Sequence, residues 1–463
     1  MKNYLPHTFI LTVVVIAFLL GLHFLPAITI NGYTLRRVNL LSDVEAKQPE
    51  GEAAGVEADS AALLPPPPKP AKPAFVDSCK AGVTCIEDYS DSTGRGMKPF
   101  YEALDRIQSE GKLVRIAYLG DSFIEADILT GDLRDMLQQH FGGSGVGFVD
   151  ITSMVRGFRI TVQHDFGGWA SYGLNDKGHY DHSRVGLSGH YFIPQSGAYV
   201  ETAKPAAHRA HLDSCQQASI YFISRGEAEL TPTVNGAPGE PQQVQGSGQL
   251  QTLTVHGNIK KIRWTVNHAD SSTFYGVAMD GLKGIALDNF GVRSSSGLHL
   301  GGIPLDKLKQ FNRERPYDLI ILQYGLNVAG KNTVNYDYYV KPFKRVLEHV
   351  KQAFPQAGIL VVGVGDREAK DEEGNMHTMP GVKNLMRFQQ RMAADAGVAF
   401  WNLYEAMGGE GSIVKMVNAK PAQANLDYTH INFRGGKVLA RKLYETLLYG
   451  KEQYDKRKAY EKQ

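Results

Sequence analysis

From residue 97 onward, apolar residues recur along the chain with two different periods. Helical spacing is found in MKPFYEALDRIQSE and YVKPFKRVLEHVKQAF, whereas near-continuous apolar runs are found in KLVRIAYLG, YDLIILQYG and GILVVGVG. Continuous runs of this length are typical of parallel strands that helices cover on both faces. The pattern therefore predicts an α/β fold built on a parallel sheet.

In the middle of the chain the pattern changes to short β-like runs separated by turn residues, among them ASIYFIS, LQTLTVHG and KKIRWTVN. No helical pattern lies between them, which indicates an antiparallel β-sandwich module inserted into the α/β domain at about residues 185–283. Residues 155–185 are rich in glycine and aromatic residues and are predicted to form a long loop. Its Trp169, Tyr172 and Tyr180 could stack on a sugar ring or pack in the sandwich core.

The amino-terminal stretch Phe9–Ile30 contains 22 residues without Asp, Glu, Lys or Arg. A helix of this length can cross a hydrocarbon layer of about 30 Å. The competing interpretation is a cleavable signal peptide, but the run is longer than the apolar core of such a peptide. Residues 41–76 are acidic and proline-rich, which is typical of an extended linker. We therefore expect a membrane-anchored protein whose body lies outside the cytoplasm, in the periplasm if the host has two membranes.

The predicted organisation has six parts. In chain order they are a transmembrane anchor (1–40), an acidic and Pro-rich linker (41–76), the first part of the α/β domain (77–154), the loop and inserted β-sandwich module (155–284), the second part of the α/β domain (285–450) and a charged tail (451–463). Cys79 and Cys85 flank a short loop that a disulfide could close, as suits an exported protein. The alternative is that these and Cys215 are three unrelated thiols.

Charge and histidine content narrow the possible partners. Lys and Arg total 50 and Asp and Glu total 48, and the near-zero balance provides no basic surface for nucleic acid. Several histidines crowd residues 164–211, but their spacing gives no convincing set of metal ligands. We expect neither nucleic-acid binding nor a metal.

Three short motifs carry candidate chemistry. Ser122 follows the strand RIAYLG directly, so its hydroxyl should be exposed where the strand ends and a helix begins. Asn327 follows the strand LIILQYG, and its amide could donate to a developing oxyanion. Asp427 and His430 are three residues apart, a spacing that places a base and its orienting carboxylate on one side of a turn. Each motif alone could equally be a turn or a helix cap.

Taken together and in this order, the motifs GDS, GLN and DYTH resemble those of the SGNH, or GDSL, hydrolases over roughly residues 97–154 and 285–450. The resemblance implies a three-layer α/β/α domain and acyl-ester chemistry that needs no metal or other cofactor. It makes Ser122 the nucleophile, with Asp427 and His430 completing a triad. Asn327 and the Ser122 backbone N–H would bind the oxyanion.

The second block of the family is less regular in this chain. The segment LDNFGVRSSSG supplies Asn289 and Gly291, but Ser294 lies where the family has a second glycine whose N–H enters the oxyanion hole. We expect Ser294 to provide that donor. Four further residues of the motifs are expected to support the site, namely Gly120, Asp121, Gly291 and Gly325.

More narrowly, the stretch after Gly120 resembles the exported or membrane-tethered branch that acts on acetylated envelope glycans. Its peptidoglycan O-acetylesterases carry a β module inserted after the first helix, and they often have His where this chain has Phe123. The resemblance implies a serine O-acetylesterase with an acylated glycan as substrate. The alternatives are an O-acetyltransferase, which could work with a partner membrane acyltransferase, and a non-catalytic glycan-binding scaffold.

Overall fold

The computed structural model describes residues 78–91, 96–174 and 180–462, together with the isolated positions 10, 14, 29, 30, 33 and 34. The chain divides into two compact units, Met1–Pro73 and Ala74–Gln463. Apart from those isolated positions, the predicted anchor and the predicted linker lie outside the described residues. Within the part of the chain that is described, no helix is both long enough and apolar enough to cross a membrane.

The strands and helices are as follows. The strands are β1 Thr29–Ile30, β2 Tyr33–Thr34, β3 Glu87–Asp88, β4 Leu113–Gly120, β5 Gly147–Asp150, β6 Gln163–Gly173, β7 His190–Ala203, β8 Cys215–Ile223, β9 Ala228–Val234, β10 Ala237–Pro238, β11 Gln242–Val244, β12 Leu250–Ile259, β13 Lys261–Ala269, β14 Thr273–Asp280, β15 Gly284–Gly291, β16 Leu319–Gln323, β17 Gly358–Val362, β18 Glu368–Lys370, β19 Met376–Thr378 and β20 Ala399–Trp401. The helices are α1 Lys98–Glu110, α2 Thr130–Phe141, α3 Leu305–Glu314, α4 Asp337–Ala353, α5 Pro380–Ala396, α6 Leu403–Met407, α7 Ser412–Asn418 and α8 Phe433–Lys462.

The α/β domain is built on a sheet with the strand order β15-β4-β16-β17-β20-β3. Its first five strands are parallel, and the edge strand β3 pairs antiparallel with β20. In this register Gly120 lies opposite Gly291 on one side and opposite Gln323 on the other. The segments that follow β4, β15 and β16 therefore leave the sheet side by side, at the edge where α/β proteins place functional groups.

Helices cover both faces of this sheet. Along β4, Ala117 and Leu119 point into a core shared with α4 and α5, whereas Ile116 and Tyr118 point into a second core shared with α1, α2 and α8. The alternation follows from the two-residue period of a strand. The predicted three-layer α/β/α arrangement is thus confirmed.

The inserted module is an antiparallel sheet formed by β5 to β14. Seven strands follow the order β10-β9-β13-β7-β14-β8-β12, and β5, β6 and β11 pair with members of that path. It has its own apolar core, in which Trp264, Phe222 and Phe274 are fully buried. The predicted antiparallel insertion is confirmed as part of the fold, although the sheet begins at Gly147, earlier than the boundary expected from the sequence.

The prediction of a long loop at residues 155–185 is wrong. Gln163–Gly173 forms a strand that pairs with β7, with an irregularity in register between Gly167 and Trp169. Gly168 adopts a φ of +79°, which only glycine tolerates easily, and the bulge lets the strand bend without leaving the sheet. Glycine-rich composition in this segment therefore marks a β-bulge.

Two predicted helices each differ from the expectation at one end. The helix after Ser122 begins only at Thr130, because Ala126 and Asp127 have φ values of +54° and +62° that no α-helix accommodates. The last helix continues through the predicted charged tail, as far as Lys462. There Lys451 and Lys458 form ion pairs with Asp105 of α1, which fixes the tail against the domain.

A buried ionic cluster connects the inserted sheet to the α/β domain. The guanidinium of Arg315 contacts Asp280 at the end of β14 and Asp288 in β15, both at 2.6 Å. The hydroxyl of Tyr317 also donates to Asp288, at 2.7 Å. Because these groups are almost completely buried, loss of one partner would leave a charge uncompensated inside the protein.

Candidate active site

Ser122 lies in the turn that follows β4, and its side chain is half-buried. Its Oγ is 3.0 Å from Nε2 of His430, although the two residues are 308 positions apart along the chain. This distance is within the range of a hydrogen bond between a nucleophile and its base. The structure therefore brings together the hydroxyl and the imidazole that the sequence singled out.

The imidazole of His430 is oriented by Asp427. Its Nδ1 is 2.8 Å from Oδ2 of Asp427, while Oδ1 of the same carboxylate accepts the backbone N–H groups of Thr429 and His430, at 3.0 and 2.9 Å. Partial burial opposes ionisation of Asp427, but these donors outweigh it and hold the pKa of Asp427 below its usual range. The carboxylate is ionised at neutral pH and favours the tautomer that leaves Nε2 free to accept a proton.

Asp121, the middle residue of the GDS motif, is buried beside this site. Its carboxylate accepts the backbone N–H of Phe123 at 3.0 Å and also that of Leu326. These two N–H groups belong to the residues next to Ser122 and Asn327. Burial is the dominant influence and raises the pKa of Asp121 to about 7. Asp121 thus ties the first motif to the third, a role that its sequence position alone did not reveal.

The segments after β15 and β16 also contact each other. The exposed side chain of Asn327 donates from Nδ2 to the backbone carbonyl of Ser295, at 3.0 Å. The adjacent Ser294 has a φ of +61°, in the left-handed region that glycine favours. The backbone at Ser294 therefore adopts a conformation of the kind expected where the family has glycine.

The glycines of the motifs permit close contacts between these segments. A Cβ at Gly120 would lie 2.9 Å from the Gln323 carbonyl oxygen, and a Cβ at Gly291 would lie 3.0 Å from Cα of Glu125. Gly325 has a φ of +135°, a conformation that side chains rarely allow. Gly120 and Gly291 thus allow the strand ends to approach one another closely, and Gly325 allows the backbone conformation that precedes Asn327.

Asp127 forms a second buried centre that was not identified from the sequence. It accepts hydrogen bonds from Thr130, Arg134, Arg159, Thr161 and Asn289. Burial opposes ionisation, but the two guanidinium groups outweigh it and hold the pKa of Asp127 well below its usual range. Nothing in the periodicity pointed to this residue, because Asp127 falls at an ordinary position of the helix that the apolar pattern predicts.

The three aromatic residues proposed for sugar contact have different surroundings. Trp169 donates from Nε1 to the Tyr199 carbonyl at 2.8 Å and packs edge-on against Phe274, as a core residue of the inserted sheet does. Tyr172 stacks on Tyr191 and lines a cleft between the inserted sheet and the α/β domain. Tyr180 lies against His182. Of the three, Tyr172 is the one that the described structure places in the lining of this cleft.

The cysteines are divided as the sequence suggested. Cys79 and Cys85 are joined by a disulfide, and Cys215 is a buried thiol. Over the described ranges, His, Cys, Asp and Glu form no group of three that could hold a metal ion.

Comparisons with known proteins assign the fold. No family model matches the chain, and no curated protein matches it. Among solved structures, a peptidoglycan O-acetylesterase superposes with a TM-score of 0.65 at 22% identity, covering 79% of this chain and 99% of that one. The chain has the SGNH hydrolase fold.

Other solved structures are similar at lower scores. A family two carbohydrate esterase from Clostridium thermocellum in complex with cellohexaose has a TM-score of 0.26 at 13% identity, covering 60% of this chain and 97% of its own. The acetyl xylan esterase AlAXEase has a TM-score of 0.25 at 13% identity, covering 35% of this chain and 80% of its own. The fold assignment depends on the peptidoglycan O-acetylesterase alone.

Proposed function

We propose that the protein is a serine O-acetylesterase that acts on an acetylated cell-envelope glycan. The observation that carries the proposal is the chain of hydrogen bonds from Ser122 Oγ through the His430 ring to the Asp427 carboxylate, with distances of 3.0 and 2.8 Å. A hydroxyl, an imidazole and an ionised carboxylate in this order form the arrangement that activates a serine nucleophile.

The proposed reaction proceeds in two halves. Ser122 Oγ attacks the ester carbonyl carbon while His430 Nε2 accepts the hydroxyl proton. The bond to the sugar oxygen then breaks, His430 returns the proton to that oxygen, and an acetyl-enzyme remains. Water next loses a proton to His430 and attacks the acetyl carbonyl, after which acetate leaves and Ser122 recovers its proton.

The negative charge on the carbonyl oxygen needs hydrogen-bond donors. Asn327 Nδ2 and the backbone N–H groups of Ser122 and Ser294 are the groups we assign to this role. Their preorganisation is supported by the Asp121 carboxylate, which links the residues beside Ser122 and Asn327. Donors fixed before the reaction begins stabilise the transition state without reorganisation at that moment.

The glycan substrate is inferred from similarity. The peptidoglycan O-acetylesterase that shares this fold aligns over most of the chain, which includes the inserted antiparallel sheet of this protein. We propose that the apolar stretch at Phe9–Ile30 anchors the protein in a membrane and that the acidic, proline-rich residues 41–76 hold its body outside the cytoplasm.

The first experiment is covalent labelling of the full chain with a serine-directed fluorophosphonate. We expect stoichiometric labelling that is lost in Ser122→Ala and retained in Ser109→Ala, which removes an exposed hydroxyl of α1. Unlabelled wild-type protein, or a label that persists in Ser122→Ala, would contradict the proposed nucleophile.

A second measurement follows the fate of the acetyl group. The protein is incubated with p-nitrophenyl acetate with and without a glycan acceptor, and free acetate and acetylated glycan are quantified. Acetate as the main product in both cases supports an esterase. Accumulation of acetylated glycan would instead identify transfer to a sugar hydroxyl.

A further inference from the structure

A cleft separates the inserted sheet from the α/β domain and encloses about 1100 Å³, with open solvent at its mouth included. One wall is formed by Glu125 and Ala126 and by the segment from Asn289 to Arg293. Glu125 is three residues from Ser122, a span of at most about 10 Å. Arg293 directly precedes Ser294. One wall of the cleft is therefore within about 10 Å of the proposed nucleophile along the chain, and it ends at the residue before the proposed oxyanion donor Ser294.

Three arginines line this cleft, namely Arg156, Arg159 and Arg293. Each is held by one carboxylate. Arg156 donates to Asp165 at 3.1 Å, Arg159 donates from Nε to Asp127 at 2.9 Å, and Arg293 donates from Nη2 to Glu125 at 2.7 Å. A guanidinium carries five N–H bonds in a fixed plane, so each arginine keeps further donors after making these contacts.

The side chain of Arg159 is the most informative of the three. Only 13% of it is exposed, and its buried Nη2 has no hydrogen-bond acceptor among the described residues. A buried donor of a charged group is costly to leave unpaired, so an acceptor oxygen in the cleft that this group reached when the side chain turned outward would relieve the cost. The acids that line the same cleft are both engaged, Glu125 with Arg293 and Asp150 with His190.

We propose that this cleft binds a carboxylate of the substrate, so that the preferred substrate is an acetylated glycan that bears carboxylate groups. The inference rests on the proposed function, because it assumes that the ester is cleaved at Ser122. Guanidinium groups bind carboxylates through paired, charge-assisted hydrogen bonds, and a planar donor already fixed by a second carboxylate loses little freedom on binding. The carboxylate belongs either to the sugar ring or to a peptide attached to the glycan.

The test measures binding to the Ser122→Ala variant, which does not consume its ligand. Three probes are compared: an acetylated oligogalacturonate, an acetylated glycan strand with peptide stems, and a neutral acetylated cello-oligosaccharide. We expect one of the two acidic probes to bind more tightly than the neutral probe and to lose affinity as salt is raised. The acidic probe that binds tightly identifies whether the carboxylate is on the sugar or on the peptide.

Arg293→Gln and Arg156→Gln, each combined with Ser122→Ala, test the arginines. Both side chains are about half exposed, so the fold should survive their replacement, which thermal unfolding checks. We expect each change to reduce the preference for the acidic over the neutral probe by about 5–30-fold. Arg313→Gln is the matched control, since Arg313 is similarly exposed and also paired with a glutamate. It should leave the preference unchanged.

Two results would overturn the inference: equal affinity of Ser122→Ala for acidic and neutral probes, or an equal loss for all probes in the arginine variants. Failure of the proposed function has a different signature, because it is read from fluorophosphonate labelling of Ser122 and not from binding. If the protein is labelled at Ser122 but binds acidic and neutral probes equally, the esterase proposal stands and only the carboxylate site is excluded.

Discussion

The side-chain amide of Asn327 donates to the backbone carbonyl of Ser295 at 3.0 Å. This contact joins the segment after β16 to the segment after β15. The side-chain amide of Asn327 has two N–H groups, and this contact uses one of them. Together with Asp121, which binds the backbone of Phe123 and Leu326, it connects the three strand ends around Ser122. The proposed oxyanion site is thus braced by contacts that do not involve the substrate.

Replacement of Asn327 with Ala should therefore impair turnover without unfolding the protein. Removal of one oxyanion donor typically lowers kcat by about 10²–10³-fold, and the exposed position of Asn327 means that little packing is lost. The measurement is kcat on p-nitrophenyl acetate together with the melting temperature. Asn258→Ala, which replaces an exposed residue of the inserted sheet, serves as the control. A turnover in Asn327→Ala within a few-fold of wild type would exclude Asn327 as a donor.

Ser294 offers a test that uses the backbone alone. Because its φ of +61° suits glycine, Ser294→Gly should keep the conformation and its N–H, and we expect turnover within about twofold of wild type. Ser294→Val should lower turnover much more, since a β-branched residue strongly disfavours this region. Steady-state kinetics of the two variants provide the comparison. Equal turnover in both would show that the backbone at residue 294 does not matter for the reaction.

Asp121 predicts a specific dependence of stability on pH. Its pKa in the folded protein is about 7, above the ordinary value of 3.8, so the folded state holds the proton more tightly than the unfolded chain. The stability that this group contributes is complete below pH 4 and is lost as pH rises through about 7. Between pH 5 and 8 the wild-type free energy of unfolding should fall by about 2–3 kcal/mol more than that of Asp121→Asn.

Urea unfolding of both proteins at pH 5, 6, 7 and 8 measures this difference. The comparison cancels the contributions of all other titrating groups, provided that they are unchanged in the variant. Parallel profiles for the two proteins would mean that Asp121 is ionised across this range. That result would contradict the raised pKa assigned to the buried carboxyl group of Asp121.

For Asp127 we predict a dependence of stability on pH with the opposite sign. Its pKa is held well below the usual range, so the stability it contributes is present above about pH 4 and lost as the pH falls through the folded pKa. Asp127→Asn leaves the fully buried Arg134 without its anion, and we expect the free energy of unfolding at pH 7 to fall by about 3–5 kcal/mol. The deficit should begin to shrink below about pH 4, because Asp127 becomes protonated there in the unfolded wild-type chain while the folded state still holds the carboxylate.

Chemical denaturation at pH 7 and pH 3.5 checks this expectation. Asp135→Asn, on the helix α2 that follows Asp127, is the control, because the structure gives Asp135 no ion pair within the described ranges; its effect should stay below about 0.5 kcal/mol. A deficit for Asp127→Asn that is small at pH 7, or that grows in acid, would contradict the assigned charge state.

The sequence predicted the parts of the fold that depend on periodicity. The buried strand before Gly120, the strand before Gly325 and the helices that cover them were all visible, because apolar period distinguishes a fully buried parallel strand from an amphipathic helix. It also placed Ser122, Asn327 and the Asp427–His430 pair at strand or helix ends. Their actual distances, however, depend on contacts between segments hundreds of residues apart.

What the sequence did not show depends on backbone conformation and on buried charge. The φ values of Ala126 and Asp127 stop the helix that the apolar pattern continued, and tertiary hydrogen bonds to Asp127 hold that turn in place. Backbone conformation also explains the wrong prediction for β6, because the glycine-rich composition around the bulge at Gly168 resembles that of a loop. The expectations for Phe9–Ile30 and for residues 41–76 remain predictions.

The last helix separates two ends of the catalytic unit. It starts at Phe433, three residues after His430, and 16 positions further along the hydroxyl of Tyr449 donates to the backbone carbonyl of Ser78. At 1.5 Å per residue, this contact lies about 24 Å along the helix axis from Phe433, where the helix begins close to His430 in sequence. A bead or sensor chip coupled through residue 78 would thus hold the enzyme at a point remote from Ser122 and leave the nucleophile accessible to polymeric substrates.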